Sequence, residues 1–115
     1  MCTRNQAIAI LSETFEMCNN ALDCPISDAY LYGSYARGDY HSESDVDILL
    51  TVDKTPEELA SYRKNIARIS SELSLKYDVT VSVTLKSEEQ FRKYSDVLPF
   101  YKNIQEEGVV LWKAA

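Results

Sequence analysis

Two aspartates and a Gly-Ser pair, held at a fixed spacing, are the residues of this chain best suited to chemistry. Gly33-Ser34 closes the apolar run Ala29-Tyr30-Leu31-Tyr32, ten residues follow, and Asp45-Val46-Asp47 opens a second apolar run that reaches Val52. A glycine after a strand lets the backbone turn sharply and come close to a ligand. The serine behind it can cap a short helix whose first amides face a phosphate. Aspartates two apart at the head of a strand project to one face. Two such carboxylates repel unless a cation lies between them. A bound Mg²⁺ opposite a phosphate cradle explains the pair, and the arrangement describes a site for nucleotide chemistry. Four fixed positions recur by chance in roughly one chain of this size in a thousand, so the spacing outweighs an ordinary loop between two strands.

The same stretch resembles the minimal nucleotidyltransferases of the DNA polymerase β superfamily, whose signature is Gly-Ser, ten residues, Asp-X-Asp. Gly33, Ser34, Ala36, Arg37, Gly38, Ser44, Asp45 and Asp47 match its fuller form, and the closing segments Leu98–Asn103 and Glu107–Leu111 also look like the end of such a domain. The resemblance implies Mg²⁺-dependent transfer of a nucleoside monophosphate, AMP from ATP, to a hydroxyl, with two Mg²⁺ ions. It further implies an MntA-type antitoxin that places AMP on a tyrosine of a HEPN toxin. Transfer to a small molecule such as an aminoglycoside is one rival. A module that neutralises its partner by contact alone is another.

The family also uses a third carboxylate on a neighbouring strand. Asp78, Thr80 and Ser82 share a face of the alternating run Asp78–Leu85, and Asp78 is the only acid on it. Asp78 is therefore expected as third metal ligand and as the base that receives the proton of the attacking hydroxyl, unless it merely opens the strand. Thr80 stands where another acid would fit; if the site needs an acid there, the active site is degenerate. Gly33, Ser34 and Arg37 are expected to hold the triphosphate. Arg37 has an equal alternative, tying the loop to Asp39 or Glu43. His41 reads as a solvated loop side chain. Tyr30, Tyr32, Tyr35 and Tyr40 read as packing around the motif, with one of them available to stack on a base or to be modified.

The elements that must position these residues follow from periodicity. Ala7, Ile10, Leu11, Phe15 and Cys18 recur at helical spacing over Thr3–Asn20. Strands are expected over Ile26–Tyr32 and Asp45–Val52, with a helical turn over Gly33–Gly38 and a polar loop to Ser44. Thr55, Pro56 and Glu58 form a helix start with a capping box, the helix running to about Ser74. A third strand over Asp78–Leu85, helices from Ser87 and from Pro99 to Glu106, and a strand Val109–Trp112 complete the order. That order predicts an α/β (α+β) domain over 1–115, a mixed sheet with helices packed on one side, and the resemblance implies the polymerase β palm-like nucleotidyltransferase fold.

Composition limits the partners. The 115 residues are 45% hydrophobic, enough for one core. No apolar run approaches the ~20 residues of a membrane span, and the N-terminus leads into the amphipathic pattern rather than a signal peptide. Three cysteines at Cys2, Cys18 and Cys24 fit neither a disulfide framework nor a zinc motif, which favours free thiols in the cytoplasm. A net charge of −6 disfavours a nucleic-acid duplex and suits a basic protein partner, in a hetero- or homo-oligomer.

Overall fold

The computed structural model describes residues 2–113, so Met1, Ala114 and Ala115 of the expected 1–115 domain lie outside the described residues. The first helix, α1 (Arg4–Ala21), starts with a capping box: the Gln6 amide donates to the Thr3 hydroxyl at 3.1 Å and the Thr3 amide to Gln6 Oε1 at 2.9 Å. It leads into β1 (Ile26–Tyr32), the single turn α2 (Ser34–Arg37) and β2 (Val46–Val52). A 3-10 segment (Glu58–Tyr62) precedes α3 (Arg63–Tyr77), followed by β3 (Val81–Ser87), α4 (Glu88–Tyr94), α5 (Pro99–Glu107) and β4 (Val109–Lys113). Among the described residues the strands form one four-stranded sheet in the order β3-β2-β1-β4. β1 runs antiparallel to β2 and β4, whereas β2 and β3 are parallel.

The sheet is mixed, as its pattern predicts, and its two faces differ. Ala29 and Leu31 of β1, Val46, Ile48, Leu50 and Val52 of β2 and Val81 of β3 join Ile10, Leu11, Ile69 and Leu73 from α1 and α3 in the main core. The expectation of helices on one side holds for these two long helices, for α2 through Tyr35 and Ala36, and for the 3-10 segment through Tyr62, but not for α4 and α5. On the opposite face Tyr30 and Leu49, register partners on β1 and β2, pack with Phe91 of α4 and with Tyr101 and Ile104 of α5. Both faces of the sheet are therefore covered in part. Leu49 is wholly buried on the second face, and an apolar side chain there needs its own cover.

Two boundaries depart from the sequence pattern. The expected capping box is present, Glu58 donating its amide to the Thr55 hydroxyl at 3.3 Å and Thr55 to Glu58 Oε1 at 3.0 Å. The residues it starts form a 3-10 segment, and the α-helix begins only at Arg63 and runs to Tyr77. Asp78 then ends α3 in the left-handed conformation, φ 53° and ψ 45°, its amide donating to the Ser74 carbonyl. Short polar side chains tolerate that conformation better than most, and Asp78 does here what a glycine commonly does. β3 consequently starts at Val81, opposite Val46, the first residue of β2.

Candidate active site

The ends of β1 and β2 lie side by side because the strands are antiparallel, which carries Gly33 to the start of β2. Gly33 adopts φ 76°, and a Cβ on it would stand 2.4 Å from Asp47 Oδ2. Only a residue without a side chain fits both the backbone and the contact. Gly33, not Ser34, occupies the N-cap of α2, and Ser34 is the first helical residue. The expected serine cap is therefore absent, since the turn out of β1 uses the positive φ of Gly33. The Gly33 carbonyl accepts from the amides of Ala36 and Arg37, both at 3.1 Å, while the earliest amides of such a turn have no partner within the helix.

Asp47 is half-buried and Asp45, one residue ahead of β2, is exposed. Burial, with the neighbouring Asp45 charge, raises the Asp47 carboxyl above the usual carboxylate range, and Arg37 acts the other way. Asp47 pairs in register with Tyr32 of β1 on one side and with Ser82 of β3 on the other. The Tyr32 phenol is pushed up by burial and by the Asp47 charge, against a hydrogen bond with Thr84. Alternation along each strand places Asp47, Tyr32, Ser82 and Thr84 on one face. The donors beside the dyad are thus hydroxyls.

Asp78 does not lie on that face. It is exposed at the C-terminus of α3, ahead of β3, and its nearest shared feature with the dyad is a hollow of about 210 Å³ bounded also by Asp45, Ser44 and Thr80. The alternation that grouped Asp78 with Thr80 and Ser82 starts too early, because Asp78 still caps α3 and contact with β2 begins only at the Thr80 carbonyl, which accepts from the Val46 amide at 2.9 Å. Among the described residues no group of three or more His, Cys, Asp or Glu side chains is placed to hold a metal together. Two hard carboxylates, one of them packed against the backbone of Gly33, still fit Mg²⁺, which keeps several waters and takes substrate phosphates as further ligands.

Arg37 ties the loop to Asp39 through Nε–Oδ2 at 3.3 Å and lies 3.9 Å from Glu107 of α5. These pairs are exposed and worth about 0–1 kcal/mol each, so a phosphate can displace them. His41 organises the loop: its Nδ1 accepts from the Glu43 amide at 3.1 Å, and its amide donates to the Ser44 hydroxyl at 2.9 Å. Of the motif tyrosines, Tyr35 and Tyr40 stack on each other at 4.4 Å and Tyr30 packs against Phe91. Tyr32 alone stands beside the dyad. Its place beside Asp47 follows from the β1–β2 register, and the alternation of the two strands was the available signal.

The match to proteins of known family agrees with this geometry. The nucleotidyltransferase domain model matches residues 12–111. Two Methanocaldococcus jannaschii proteins, both named as candidate protein adenylyltransferases, are each 39% identical, one over 76% of this chain and 79% of its own length, the other over 67% and 76%. Among solved structures, a Sulfolobus solfataricus protein described as a candidate nucleotidyltransferase superposes with a TM-score of 0.60 at 21% identity, covering 96% of this chain and 83% of its own. A toxin–antitoxin structure with AMP-PNP superposes at 0.56 and 22% identity, covering 96% and 73%. At those identities the solved structures speak to the fold. The match over residues 12–111 and the relatives at 39% identity show that the chain belongs to the nucleotidyltransferase domain family.

Proposed function

We propose that residues 1–115 form one nucleotidyltransferase domain that moves AMP from ATP to a tyrosine hydroxyl of a HEPN-type toxin and so acts as its antitoxin, in the cytoplasm. The observation that carries the reading is the close approach of the Asp47 carboxylate to the Gly33 backbone, which sets the aspartate pair against the glycine turn where any side chain would push it away. The relatives named as protein adenylyltransferases and the toxin–antitoxin neighbour with AMP-PNP support the donor and the partner class. Free thiols at Cys2, Cys18 and Cys24 suit a reducing compartment. Among the described residues no helix is long and apolar enough to cross a membrane.

In this reading Asp45 and Asp47 hold Mg²⁺, which when bound neutralises charge on the phosphates. Gly33 and Ser34 receive the triphosphate, and Arg37 exchanges Asp39 for a phosphate oxygen. The acceptor hydroxyl oxygen bonds to the α-phosphorus, the bond from that phosphorus to the bridging oxygen breaks, and pyrophosphate leaves. Asp78, across the hollow from Asp45, takes the hydroxyl proton. It enters as a proton acceptor and not as a metal ligand.

A second reading has one observation in its favour: Ser82 beside Asp47 and Thr80 beside the start of β2 provide no acid, as in a module that binds without catalysis. Incubation with Mg²⁺ and α-phosphate-labelled ATP, with and without the partner toxin, separates the two. Wild type should label the toxin and Asp47→Ala should lose roughly 100-fold or more of the transfer. Neutralisation without label, unchanged in Asp47→Ala, would establish the binding module instead.

A further inference from the structure

A cleft of about 200 Å³ opens beside the phosphate-facing turn, and no residue of the proposed chemistry beyond Gly33 and Arg37 lines it. Its remaining walls are Tyr32 at the end of β1 and Phe100, Asn103, Ile104 and Glu107 on α5, the last of them the exposed partner of Arg37. Tyr32 and Phe100 meet edge to face with ring centroids 5.5 Å apart. Phe100 is 46% exposed although it is a large aromatic with an aromatic neighbour on each side, Tyr32 and Tyr101. Asn103, three residues on along α5, is exposed at the same cleft.

The cleft is smaller than the ~300–1,000 Å³ that encloses a whole drug-sized ligand. It suits one flat ring system whose remainder lies elsewhere. That remainder has a place: Gly33 belongs both to the cleft and to the contact with Asp47. A planar group in the cleft is therefore joined directly to the position of the phosphates. An aromatic face with an amide beside it is what a nucleobase requires, the ring stacking and the amide pairing with a base edge. A side-chain amide offers one donor and one acceptor, which match the N6 and N7 edge of adenine and leave the O6 of guanine opposite an acceptor.

We propose that this cleft is the nucleobase subsite of the bound nucleoside triphosphate, with Phe100 as stacking platform, Tyr32 as the edge that orients it, and Asn103 as the selector for adenine. The proposal rests on the nucleotidyltransferase reading and adds where the base lies and which residues choose it. Phe100 and Asn103 are exposed and belong to neither buried cluster, so their replacement should leave the fold intact.

Calorimetric titration of the full chain in Mg²⁺ tests it with three probes: ATP, GTP and inorganic tripolyphosphate. Phe100→Ala should weaken ATP at least tenfold and leave tripolyphosphate unchanged. Asn103→Ala should lower the preference for ATP over GTP severalfold, again without effect on tripolyphosphate. Equal weakening of ATP and tripolyphosphate, or ATP affinity untouched in both variants, overturns the subsite while the phosphate site stands. Binding of neither ATP nor tripolyphosphate by wild type overturns the subsite and the nucleotide reading together.

Discussion

Asp47 is held where its charge is costly. Burial and the Asp45 charge both raise its carboxyl above the ordinary value, with Arg37 offsetting part of the effect. In the metal-free protein the folded state thus keeps this proton to higher pH than the unfolded chain. By linkage, stability falls as pH rises from the unfolded value through the folded one, and stays lower above it. Asp47→Asn removes that dependence, so in EDTA at neutral pH its melting temperature by calorimetry should exceed that of wild type, although transfer is lost. Such a trade of stability for function is common at catalytic groups. Gly33 is the reverse case. Gly33→Ala forces a Cβ against Asp47 Oδ2 at a positive φ and should destabilise by about 1–3 kcal/mol in urea melts, with transfer abolished.

At the scale of elements, the end of α3 decides more than its length implies. Asp78 occupies a left-handed cap, a conformation that costs a residue with a Cβ about 1–2 kcal/mol relative to glycine. Asp78→Gly should therefore raise the unfolding free energy by about 0.5–1 kcal/mol, measured by urea melts. If Asp78 receives the proton, the same variant should transfer AMP roughly 100-fold more slowly. A more stable variant with wild-type turnover would remove Asp78 from the chemistry. The cap also determines where β3 begins. With three residues spent leaving the helix, Val81 is the first to pair in register with β2, and the register then places Ser82 next to Asp47.

Across the whole molecule, the charge of −6 limits what can approach. Phosphate-rich duplexes should be repelled, whereas in the proposed site a single triphosphate would be held locally by Gly33, Ser34 and Arg37. A filter-binding assay with a DNA duplex at ~0.15 M salt should show no retention, under conditions where ATP binds. Exposed large apolar residues concentrate toward the C-terminal end, at Val97, Leu98, Phe100, Val110 and Leu111, whereas Leu75 is exposed alone. Phe100 lies on α5, Leu98 is its N-cap, Val97 ends the turn before it, and Val110 and Leu111 lie on β4, an outer strand of the sheet.

What the sequence determined by itself was local. The positive φ at Gly33, the capping box at Thr55 and Glu58, the alternation of β1 and β2 and the helical period of α1 depend on neighbours a few residues away, and each was readable from residue types. The spacing of Asp45 and Asp47 about the first residue of β2 belongs to the same class. Only the tertiary structure decided what stands across from them. Asp78–Leu85 alternates whether or not a partner strand is present, so its pattern carries no register, and only contact with β2 shows that Ser82 stands beside Asp47 while Asp78 faces Asp45 across a hollow. Likewise Arg37 meets Glu107, and Tyr32 meets Phe100, across most of the chain. The placing of α4 and α5 over the second face follows from the need to cover Leu49 and Tyr30. That is a demand of burial in three dimensions, which no periodicity along α5 encodes.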